Sequence, residues 1–542
     1  MGNNTDKWQA LITAKQQDRV SRIPTEWVLA PEILNQVHEN GTRSAFEILR
    51  EHELLTEAEV RLTESYDARA LFSEIVQGKV TALEVCKAFC KRAAIAHQLT
   101  NCATEIFFDE ALNRAQFLDE YLLKEKKPYG PFHGVPISVK DCFPIEGQAT
   151  TIGFVSYLEK PLAAKNSPVI DVLLENGAVL YLKTNLPQTM LSMDSTNNVF
   201  GRTLNPHHPR LTAGGSSGGE GALIGLRGSI LGVGTDIGGS IRAPSLCNGI
   251  YGFKPTADRI PHGEWESGMR PGAPGFASSA GPLATSATDL TYFCKSVILS
   301  EPWRKDSTAL AGGWCNVQRK EKLRIGVFMG DGDYPLAPPV TRALKSATTA
   351  LERAGHQVDV LSSFPSVHEA LKIAARFMML DNEQTLLKHV LAGDEQPIKS
   401  LAYTSPATVV EAREYTLKDV WDANAALIQY REKMAAVWRK HDLDIVLCPG
   451  ARTPATPHDT FGMPVYTLIW NLLNARSFGT FPASIIPFLK VDASLDAADD
   501  YDPTLVNGLP TAVQVVGWRH QDEEALMATE VIDEALKRYQ EI

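Results

Sequence analysis

The sequence predicts an α/β fold, in which a single large domain has a central, mixed and mostly parallel twisted sheet flanked by helices. Three observations support this prediction. Strand-like and helix-like segments alternate along most of the chain, as in parallel-sheet proteins. Hydrophobic residues make up 44% of the 542 residues, which is enough for a large core. No low-complexity linker or fixed-period repeat divides the chain. We therefore expect an N-terminal helical arm over residues 1–66 and one large domain over 67–542.

The first predicted elements are a helix and a strand. Thr81 and Glu84 form a capping-box pattern, with a hydroxyl and a carboxylate three residues apart, which predicts a helix start. Further on, Ile137 and Val139 alternate with polar neighbours, as in a strand. Lys140 therefore lies near the end of this predicted strand.

A helix, a glycine and a strand then follow one another twice. Ser167 to Asn176 has a helical pattern, Gly177 suits the position just after it, and residues 178–183 are apolar as in a buried strand. The same order recurs at residues 340–361. The remaining predicted elements are strands at 323–328, 444–448 and 511–516 and a last helix at 522–539.

Composition excludes several function classes. The formal net charge is −11 and no Lys/Arg run occurs, so we expect no nucleic-acid partner. The N-terminus has no apolar signal segment and no window is apolar enough to span a membrane. The eight cysteines show no CxxC pair or zinc-ligand spacing, which predicts reduced thiols, a cytoplasmic location and no metal. No organic cofactor is predicted either, and the sequence is compatible with a homodimer.

One stretch, Gly214 to Pro255, differs from the rest in composition. Eleven of its first 26 residues are glycine, with serines at 216, 217, 229 and 240. Phosphate binding is one interpretation, but neither GxxxxGK[ST] nor a strand-to-helix GxGxxG occurs. An α/β-hydrolase elbow is another, because GxSxG matches at both Ser216 and Ser217. The residues before that match are polar and contain two prolines, so they do not resemble the central strand that an elbow requires.

The third interpretation is acyl transfer that uses both serine clusters. Ser240 follows a compact turn whose N–H groups could converge on one point, and such donors stabilise a developing oxyanion. Ser240 would be the nucleophile. The candidate donors are the amides of Ile237, Gly238, Gly239 and Ser240. A serine needs a base, and Ser216 could relay its proton to a neutral lysine.

These residues also carry a family resemblance. The segments GGSSGGEGALIG from Gly214, GVGTDIGGSIRAPS from Gly232 and GFKPT from Gly252 resemble the amidase signature family. The segment GVPISVKD from Gly134 is similar to that family's lysine motif. The match runs from about residue 66 to 517, and the chain looks most like fungal acetamidase-type general amidases. The sequence GGSSGGEGALIG is also similar to fatty-acid-amide hydrolases.

The resemblance implies a Ser–Ser–Lys triad. Lys140 is then the base, Ser240 the acylated nucleophile, and Ser216 the relay on a cis peptide bond. Burial or a like charge must lower the pKa of Lys140 for it to act as a base. The implied reaction is hydrolysis of a carboxylic amide to an acid and ammonia or an amine.

Residues around the triad have two interpretations each. Asp236 and Arg242 more readily brace the loop than contact substrate. Ser217 is either a helix N-cap or a hydrogen-bond partner of Lys140. Met190 is either substrate-facing, as its position in relatives implies, or an ordinary core residue. The position of Ser192 in relatives likewise implies a substrate-facing residue. Thr150 and Thr151 are candidates for lining the pocket, and Tyr466 and Trp470 are either core residues or the wall of an acyl pocket.

Three alternative functions remain open at this point. A lipid-amide hydrolase is the nearest enzymatic alternative. A glutamine amidotransferase subunit would share the motifs but pass ammonia to a partner. A catalytically silent binding protein is disfavoured by the intact Lys140, Ser216 and Ser240.

Overall fold

The architecture is an eleven-stranded sheet with helices packed around it, in a computed structural model that describes residues 2–37, 41–275, 277–473, 481–498 and 503–541. The strands are β1 (Ala103–Ile106), β2 (Pro136–Lys140), β3 (Val179–Thr184), β4 (Thr196–Asn197), β5 (Gly201–Arg202), β6 (Leu231–Asp236), β7 (Tyr251–Lys254), β8 (Ser279–Ala284), β9 (Arg324–Val327), β10 (Gln357–Val360), β11 (Ile445–Cys448), β12 (Ala483–Lys490) and β13 (Pro510–Gly517). The order across the large sheet is β1-β3-β2-β6-β8-β7-β12-β13-β11-β9-β10, and β4 and β5 form a separate pair.

The helices occupy the connections between these strands. They are α1 (Gly2–Ser21), α2 (Pro31–Leu34), α3 (Ala45–Glu51), α4 (Glu57–Glu64), α5 (Ala68–Val76), α6 (Ala82–Thr100), α7 (Phe108–Glu125), α8 (Pro168–Glu175), α9 (Gly218–Gly225), α10 (Arg242–Asn248), α11 (Ala287–Leu299), α12 (Pro338–Arg353), α13 (Val367–Met378), α14 (Thr385–Ala392), α15 (Ser400–Thr404), α16 (Leu417–His441), α17 (Val465–Leu472), α18 (Pro503–Val506) and α19 (Asp522–Gln540). Short 3₁₀ turns lie at Thr25–Trp27, Val155–Glu159, Gln188–Met190, Pro302–Arg304 and Pro406–Thr408.

The predicted α/β class and mixed sheet are confirmed, with parallel pairing concentrated in two flanks. β2 runs parallel to β3 and β6, and β9 runs parallel to β10 and β11. The other pairings among the described residues, mostly through β7, β8, β12 and β13, are antiparallel. Parallel pairing therefore dominates only in the flanks. Parallel neighbours need long crossover connections, whereas antiparallel neighbours can be joined directly.

The local patterns identified in the sequence form the expected elements. Thr81 caps α6, because its hydroxyl accepts from the Glu84 amide at 3.1 Å while the Thr81 amide donates to the Glu84 carboxylate at 2.8 Å. Helix α8 is followed by Gly177 at φ +89°, as its predicted place after the helix requires. The strands and helix predicted beyond residue 320 are also present.

The N-terminal segment is mainly helical, and its first helix, α1, contacts the sheet. In α1, Lys15 pairs with Glu105 at 2.6 Å, and Arg19 donates to the Ala103 carbonyl at 2.7 Å. These two partners belong to the edge strand β1. The boundary at residue 66 between an arm and a catalytic domain stays a prediction.

The helices and the cysteines bear on two other predictions from the sequence. Among the described residues, no helix has the length and hydrophobicity needed to cross a bilayer. All eight cysteines lie in the described ranges as free thiols, seven of them buried and Cys315 exposed.

Candidate active site

Lys140 lies at the end of β2 and is fully buried. Its Nζ lies 2.6 Å from Ser216 Oγ and 2.9 Å from Thr235 Oγ1, at hydrogen-bonding distance from both hydroxyls. Burial lowers the pKa of Lys140 to about 8, although Cys142, Asp236 and Glu220 act in the opposite direction. A neutral amine is therefore accessible near physiological pH, as the predicted base requires.

Ser216 lies in the turn before α9, and its peptide bond with Gly215 is cis, as the family resemblance implied. The backbone here is closely packed. A methyl group on Gly215 would lie 2.3 Å from the Ser192 carbonyl oxygen, so the segment around Ser192 directly covers the relay turn. The sequence separates Lys140 and Ser216 by 76 residues, and the parallel pairing of β2 with β6 brings the two regions together.

Ser240 follows β6 at the entrance to α10 and is buried. Its Oγ has no hydrogen-bond partner within the described part of the chain. Its carbonyl accepts from the Ser217 amide at 3.1 Å, which links the Ser240 loop to the Ser216 turn. A buried hydroxyl without a partner is unusual and is compatible with a reacting group.

The amides of the loop differ in their availability. The N–H groups of Ile237, Gly238 and Ser240 donate to no acceptor in the described ranges. The Gly239 amide instead donates to Asp236 Oδ1 at 2.8 Å. The prediction that Gly239 supplies an oxyanion donor is therefore corrected, because the carboxylate that braces the loop occupies this N–H group.

Asp236 and Arg242 form a fully buried ion pair at the loop before Ser240. Two nitrogens of the guanidinium contact the carboxylate at 2.9 and 3.0 Å. Burial alone would raise the pKa of Asp236, but the charge and hydrogen bonds of Arg242 lower it to about 2. The carboxylate also accepts from the amides of Gly239 and Ile241. These contacts explain the positions of Asp236 and Arg242 without any contact between either side chain and substrate.

Partners from distant segments complete this brace, and the sequence did not reveal them. Arg242 Nη1 donates to Gln514 Oε1 at 2.7 Å and to the Thr467 carbonyl at 3.0 Å, and Asn471 Nδ2 donates to Asp236 at 3.0 Å. These residues lie on α17 and β13, more than 200 residues along the chain. Of these residues, only Gln514 lies in a strand that the sequence predicts, at residues 511–516.

Thr467 also holds the turn before Ser240. Its hydroxyl donates to the Gly238 carbonyl at 2.7 Å. Gly239 has φ +137°, and a methyl group there would lie 2.3 Å from Thr467 Oγ1. The turn therefore needs a glycine at this position, both for its backbone conformation and for the approach of α17.

The side chain of Ser217 makes neither of the two predicted contacts, a helix-capping hydrogen bond or a hydrogen bond to Lys140. The residue lies at the N-cap position of α9, but its hydroxyl makes no capping hydrogen bond. It instead lies 3.5 Å from the Thr235 carbonyl, at the limit of a weak hydrogen bond. Among the described residues this hydroxyl makes no contact with Lys140, whose amine lies within hydrogen-bonding distance of Ser216 and Thr235.

The predicted pocket residues occupy different positions. Met190 is buried, with φ +58°, in the short turn that leads to Ser192. Thr150 accepts a hydrogen bond from the buried Lys183 at 2.7 Å, so its hydroxyl supports a neighbouring strand. Thr151 is buried and accepts weakly from the Gly153 amide at 3.4 Å.

Tyr466 and Trp470 pack as core residues in α17. The Tyr466 hydroxyl donates to the Tyr334 carbonyl at 2.6 Å, and Trp470 is fully buried with its ring 6.1 Å from that of Trp438. These two residues belong to an aromatic-rich segment, residues 461–481, of which 474–480 lie outside the described residues. The packing of its described part supports the core interpretation of Tyr466 and Trp470. Among all the residues that the structure describes, no group of three or more His, Cys, Asp or Glu side chains could hold a metal ion.

Known proteins resemble this chain over nearly its whole length. The family model described as Amidase matches residues 84–526. An amidase of Gibberella moniliformis is 47% identical over 531 residues, which cover 98% of this chain and 99% of that protein. An acetamidase of Emericella nidulans is 34% identical over 559 residues, which cover 98% of each.

Solved structures resemble the fold to different degrees. A structure named fatty acid amide hydrolase superposes with a TM-score of 0.92 at 30% identity, and covers 98% of this chain and 96% of its own. A bacterial aryl acylamidase superposes with a TM-score of 0.70 at 20% identity, and covers 88% of this chain and 98% of its own. The second likeness shows the fold alone.

Proposed function

The chain belongs to the amidase family, and we propose that Ser240, Ser216 and Lys140 are the catalytic triad of this amide hydrolase. Its substrate is a small-molecule amide. The observation that carries the proposal is the 2.6 Å contact between Lys140 Nζ and Ser216 Oγ, made by a fully buried lysine. A lysine can accept a proton only as the neutral amine, and burial favours that form.

The first step is acylation of Ser240. Its Oγ attacks the amide carbonyl carbon while its proton passes to Ser216 Oγ and the Ser216 proton passes to Lys140 Nζ. The link between the Ser217 amide and the Ser240 carbonyl supports this relay, because it holds the two serine segments side by side. General acid–base transfer of this kind contributes typically about 10²–10⁴-fold to a rate.

The free loop amides would stabilise the charge that develops in this step. Within the described part of the chain, the N–H groups of Ile237, Gly238 and Ser240 have no acceptor, and they lie next to the nucleophile. Each such donor contributes about 2.7–4 kcal/mol when it is aimed at an oxyanion. The ion pair of Asp236 and Arg242 holds the turn, so the donors need little reorganisation during the reaction.

The second step separates the products. The ammonium of Lys140 returns its proton through Ser216 to the leaving nitrogen as the C–N bond breaks, so that ammonia or an amine departs. Water then attacks the acyl-enzyme and gives up a proton along the same relay, and Ser240 is released with the acid. One water is consumed in each cycle, and the protein returns to its starting protonation state.

For the substrate class we propose primary carboxamides with a short acyl group, as for an acetamidase-like general amidase. The names of the 34% and 33% identical relatives, both acetamidases over 98% of this chain, support this class. The second candidate is a fatty-acid amide. The TM-score of 0.92 to the structure named fatty acid amide hydrolase favours that candidate.

A series of amides distinguishes the two candidates. The purified full chain is assayed for ammonia or amine release with acetamide, longer aliphatic amides, an aryl amide and a long-chain acyl amide. The short-acyl proposal requires kcat/KM to fall by about tenfold or more as the acyl group becomes long. The opposite trend would support the fatty-acid amide instead. Ammonia release without a partner protein would argue against an amidotransferase subunit.

The acyl-enzyme is tested separately by mass spectrometry. A serine-directed fluorophosphonate should add one label to the wild-type chain at Ser240 and none to Ser240→Ala. Ser217→Ala is a matched control, because this neighbouring buried hydroxyl makes only a weak contact. Labelling of Ser240→Ala to the same extent as the wild type would remove Ser240 from the nucleophile role.

A further inference from the structure

A buried carboxyl group lies next to the base and takes no part in the steps above. Glu220 is on α9, four residues after Ser216, and is completely inaccessible to solvent. Its Oε1 accepts from the Thr184 hydroxyl at 2.8 Å, and its Oε2 lies 2.5 Å from Ser138 Oγ. Both contacts are to hydroxyl groups, and no salt bridge to Glu220 is present in the described part of the chain.

The two partners of Glu220 lie on either side of Lys140. Ser138 precedes Lys140 by two residues on β2, and so lies on the same face of the strand. Thr184 is the residue of β3 directly paired with Lys140. Glu220 therefore connects the helix that follows the relay serine to the two strands that position the base.

The neighbouring strand leaves room for this carboxyl group. Gly232 of β6 is paired with Ser138. A methyl group on Gly232 would lie only 2.0 Å from Glu220 Oε2, so no larger residue fits there while Glu220 keeps its place. The position of the carboxyl group is thus determined by three strands and one helix.

The number of hydrogens available to these groups indicates the protonation state of Glu220. Three contacts follow one another: Glu220 Oε2 to Ser138 Oγ at 2.5 Å, Ser138 Oγ to Ser229 Oγ at 3.0 Å, and Ser229 Oγ to the Leu231 carbonyl at 2.9 Å. The two serine hydroxyls supply two hydrogens for three contacts. A carboxylate and a carbonyl supply none, so an ionised Glu220 leaves one contact without a hydrogen.

We propose that Glu220 is held as a neutral carboxylic acid and acts as a positioning residue for Lys140. Its proton is donated to Ser138, the Ser138 proton to Ser229, and the Ser229 proton to the Leu231 carbonyl. Glu220 anchors α9 to the strands around the base without placing a negative charge beside it. Lys140 therefore loses its proton more readily than it would next to a carboxylate. The role assigned to Lys140 here rests on the proposed function.

The electrostatic surroundings of Glu220 agree with the hydrogen count. Burial raises the pKa of Glu220 to about 8, and the Ser138 and Thr184 contacts and the Lys140 charge lower it only in part. The other titratable groups that face Glu220 are Cys102 and Tyr181, and burial raises the pKa of both. Neither therefore adds a negative charge near neutral pH.

Difference infrared spectroscopy tests the protonation state without relying on activity. The full chain is compared with Glu220→Gln near neutral pH, and the wild type should show a protonated carboxyl C=O band that the variant lacks. If the variant does not fold, carboxyl-¹³C-glutamate labelling of the wild type and of Ser138→Ala gives the same information. The labelled band should move when the Ser138 acceptor is removed. A carboxylate band in place of the C=O band, or a band insensitive to Ser138, would overturn the proposal.

The pH profile tests the effect on the base. Glutamine resembles a neutral carboxylic acid in shape and donor pattern. In Glu220→Gln the apparent pKa of the ascending limb should therefore stay within about 0.3 unit of the wild type, with kcat lowered by less than about tenfold. Glu220→Ala should lose about a hundredfold, because Ser138 and Thr184 lose their common partner.

Two results would contradict the positioning role. One is a decrease of about one unit in the apparent pKa of the ascending limb in Glu220→Gln. That decrease is expected if Glu220 is ionised in the wild type, because its negative charge would raise the pKa of Lys140. The other is equal activity of Glu220→Gln and Glu220→Ala. Failure of the proposed function would be recognised differently, because Lys140→Ala would then keep full activity whatever the infrared band shows.

Discussion

Two buried pairs of ionisable side chains in the same site behave in opposite ways. Asp236 and Arg242 are fully buried and in direct contact, and the pKa of Asp236 falls to about 2 because the guanidinium outweighs burial. Lys140 and Glu220 are just as buried, but each contacts hydroxyl groups. Burial then lowers the pKa of Lys140 to about 8 and raises that of Glu220 to about 8.

The difference shows that burial by itself does not determine charge. An opposite charge in hydrogen-bond contact keeps a buried group ionised, whereas hydroxyl partners leave it free to become neutral. The ionised pair suits a structural task, because its many hydrogen bonds hold the turn before Ser240. The second pair suits proton transfer, because a neutral lysine is available as a base.

The largest expected effect is on the base of the second pair. Lys140→Met should lower kcat by about 10⁴-fold, because Ser216 loses the group that takes its proton. Lys254→Met is the matched control. Lys254 is also fully buried, and burial lowers its pKa to about 7, but among the described residues the only hydrogen bond of its amine is to the Pro255 carbonyl. We expect the control to lose less than about tenfold in a steady-state assay. Similar losses of kcat in both variants would contradict a specific role of Lys140 as the base, because loss of either buried lysine would then have the same effect.

The next effect is on the stability of the ionised pair. Arg242→Leu should lower the free energy of unfolding by about 3–5 kcal/mol, because Asp236 stays buried without its partner. The measurement is urea denaturation followed by fluorescence. The double variant Asp236→Asn/Arg242→Leu should recover part of the loss, since no uncompensated charge remains. If Arg242→Leu were as stable as the wild type, the ion pair would make no contribution to the free energy of unfolding.

The pH dependence of activity is the third test. Lys140 accepts a proton only when neutral, so kcat/KM should rise with pH and reach half its maximum near the pKa of about 8. Below that point it should fall by about tenfold for each pH unit. Asp236 should contribute nothing above mildly acidic pH, because its pKa is about 2. A profile that falls with rising pH between neutral and mildly alkaline values would contradict a neutral lysine base.

The smallest effect concerns the helix that supports the ionised pair. Thr467→Val keeps the shape of the side chain and removes the hydrogen bond to the Gly238 carbonyl. It should lower kcat by about five- to tenfold, equivalent to about 1 kcal/mol. Tyr466→Phe on the same helix is the control. It should cost stability but leave kcat/KM ratios across acyl chain lengths unchanged, because Tyr466 packs in the core. A changed preference for acyl chain length in Tyr466→Phe would instead indicate that Tyr466 lines the acyl pocket.

Much of the site could be predicted because its chemistry is concentrated in local motifs. Lys140, Ser216 and Ser240 each lie in a segment with its own pattern, and the helix of Thr81 and the glycine after α8 follow from short-range rules. The role of the Gly239 amide could not be predicted in the same way. Whether an N–H group is free depends on the orientation of a nearby carboxylate, and residue types do not specify that orientation.

The support of the site was also beyond the reach of local patterns. Thr467, Asn471 and Gln514 contact the Asp236 loop from more than 200 residues away, and nothing in their own neighbourhoods indicates that role. Such contacts arise only when the tertiary fold places β13 against α10, and α17 against the loop that follows β6. Periodicity describes one element at a time and contains no information about which elements become neighbours.

By itself, the sequence determined the α/β class and most elements, because spacing and residue type are local properties. Through its resemblance to family motifs it also made Lys140, Ser216 and Ser240 the candidate triad. Only the tertiary structure decided which buried groups contact one another. It brought Lys140 to Ser216, paired Asp236 with Arg242 and surrounded Glu220 with hydroxyls. The physical reason is that the charge of a buried group depends on its neighbours within a few ångströms, and those neighbours come from distant parts of the chain.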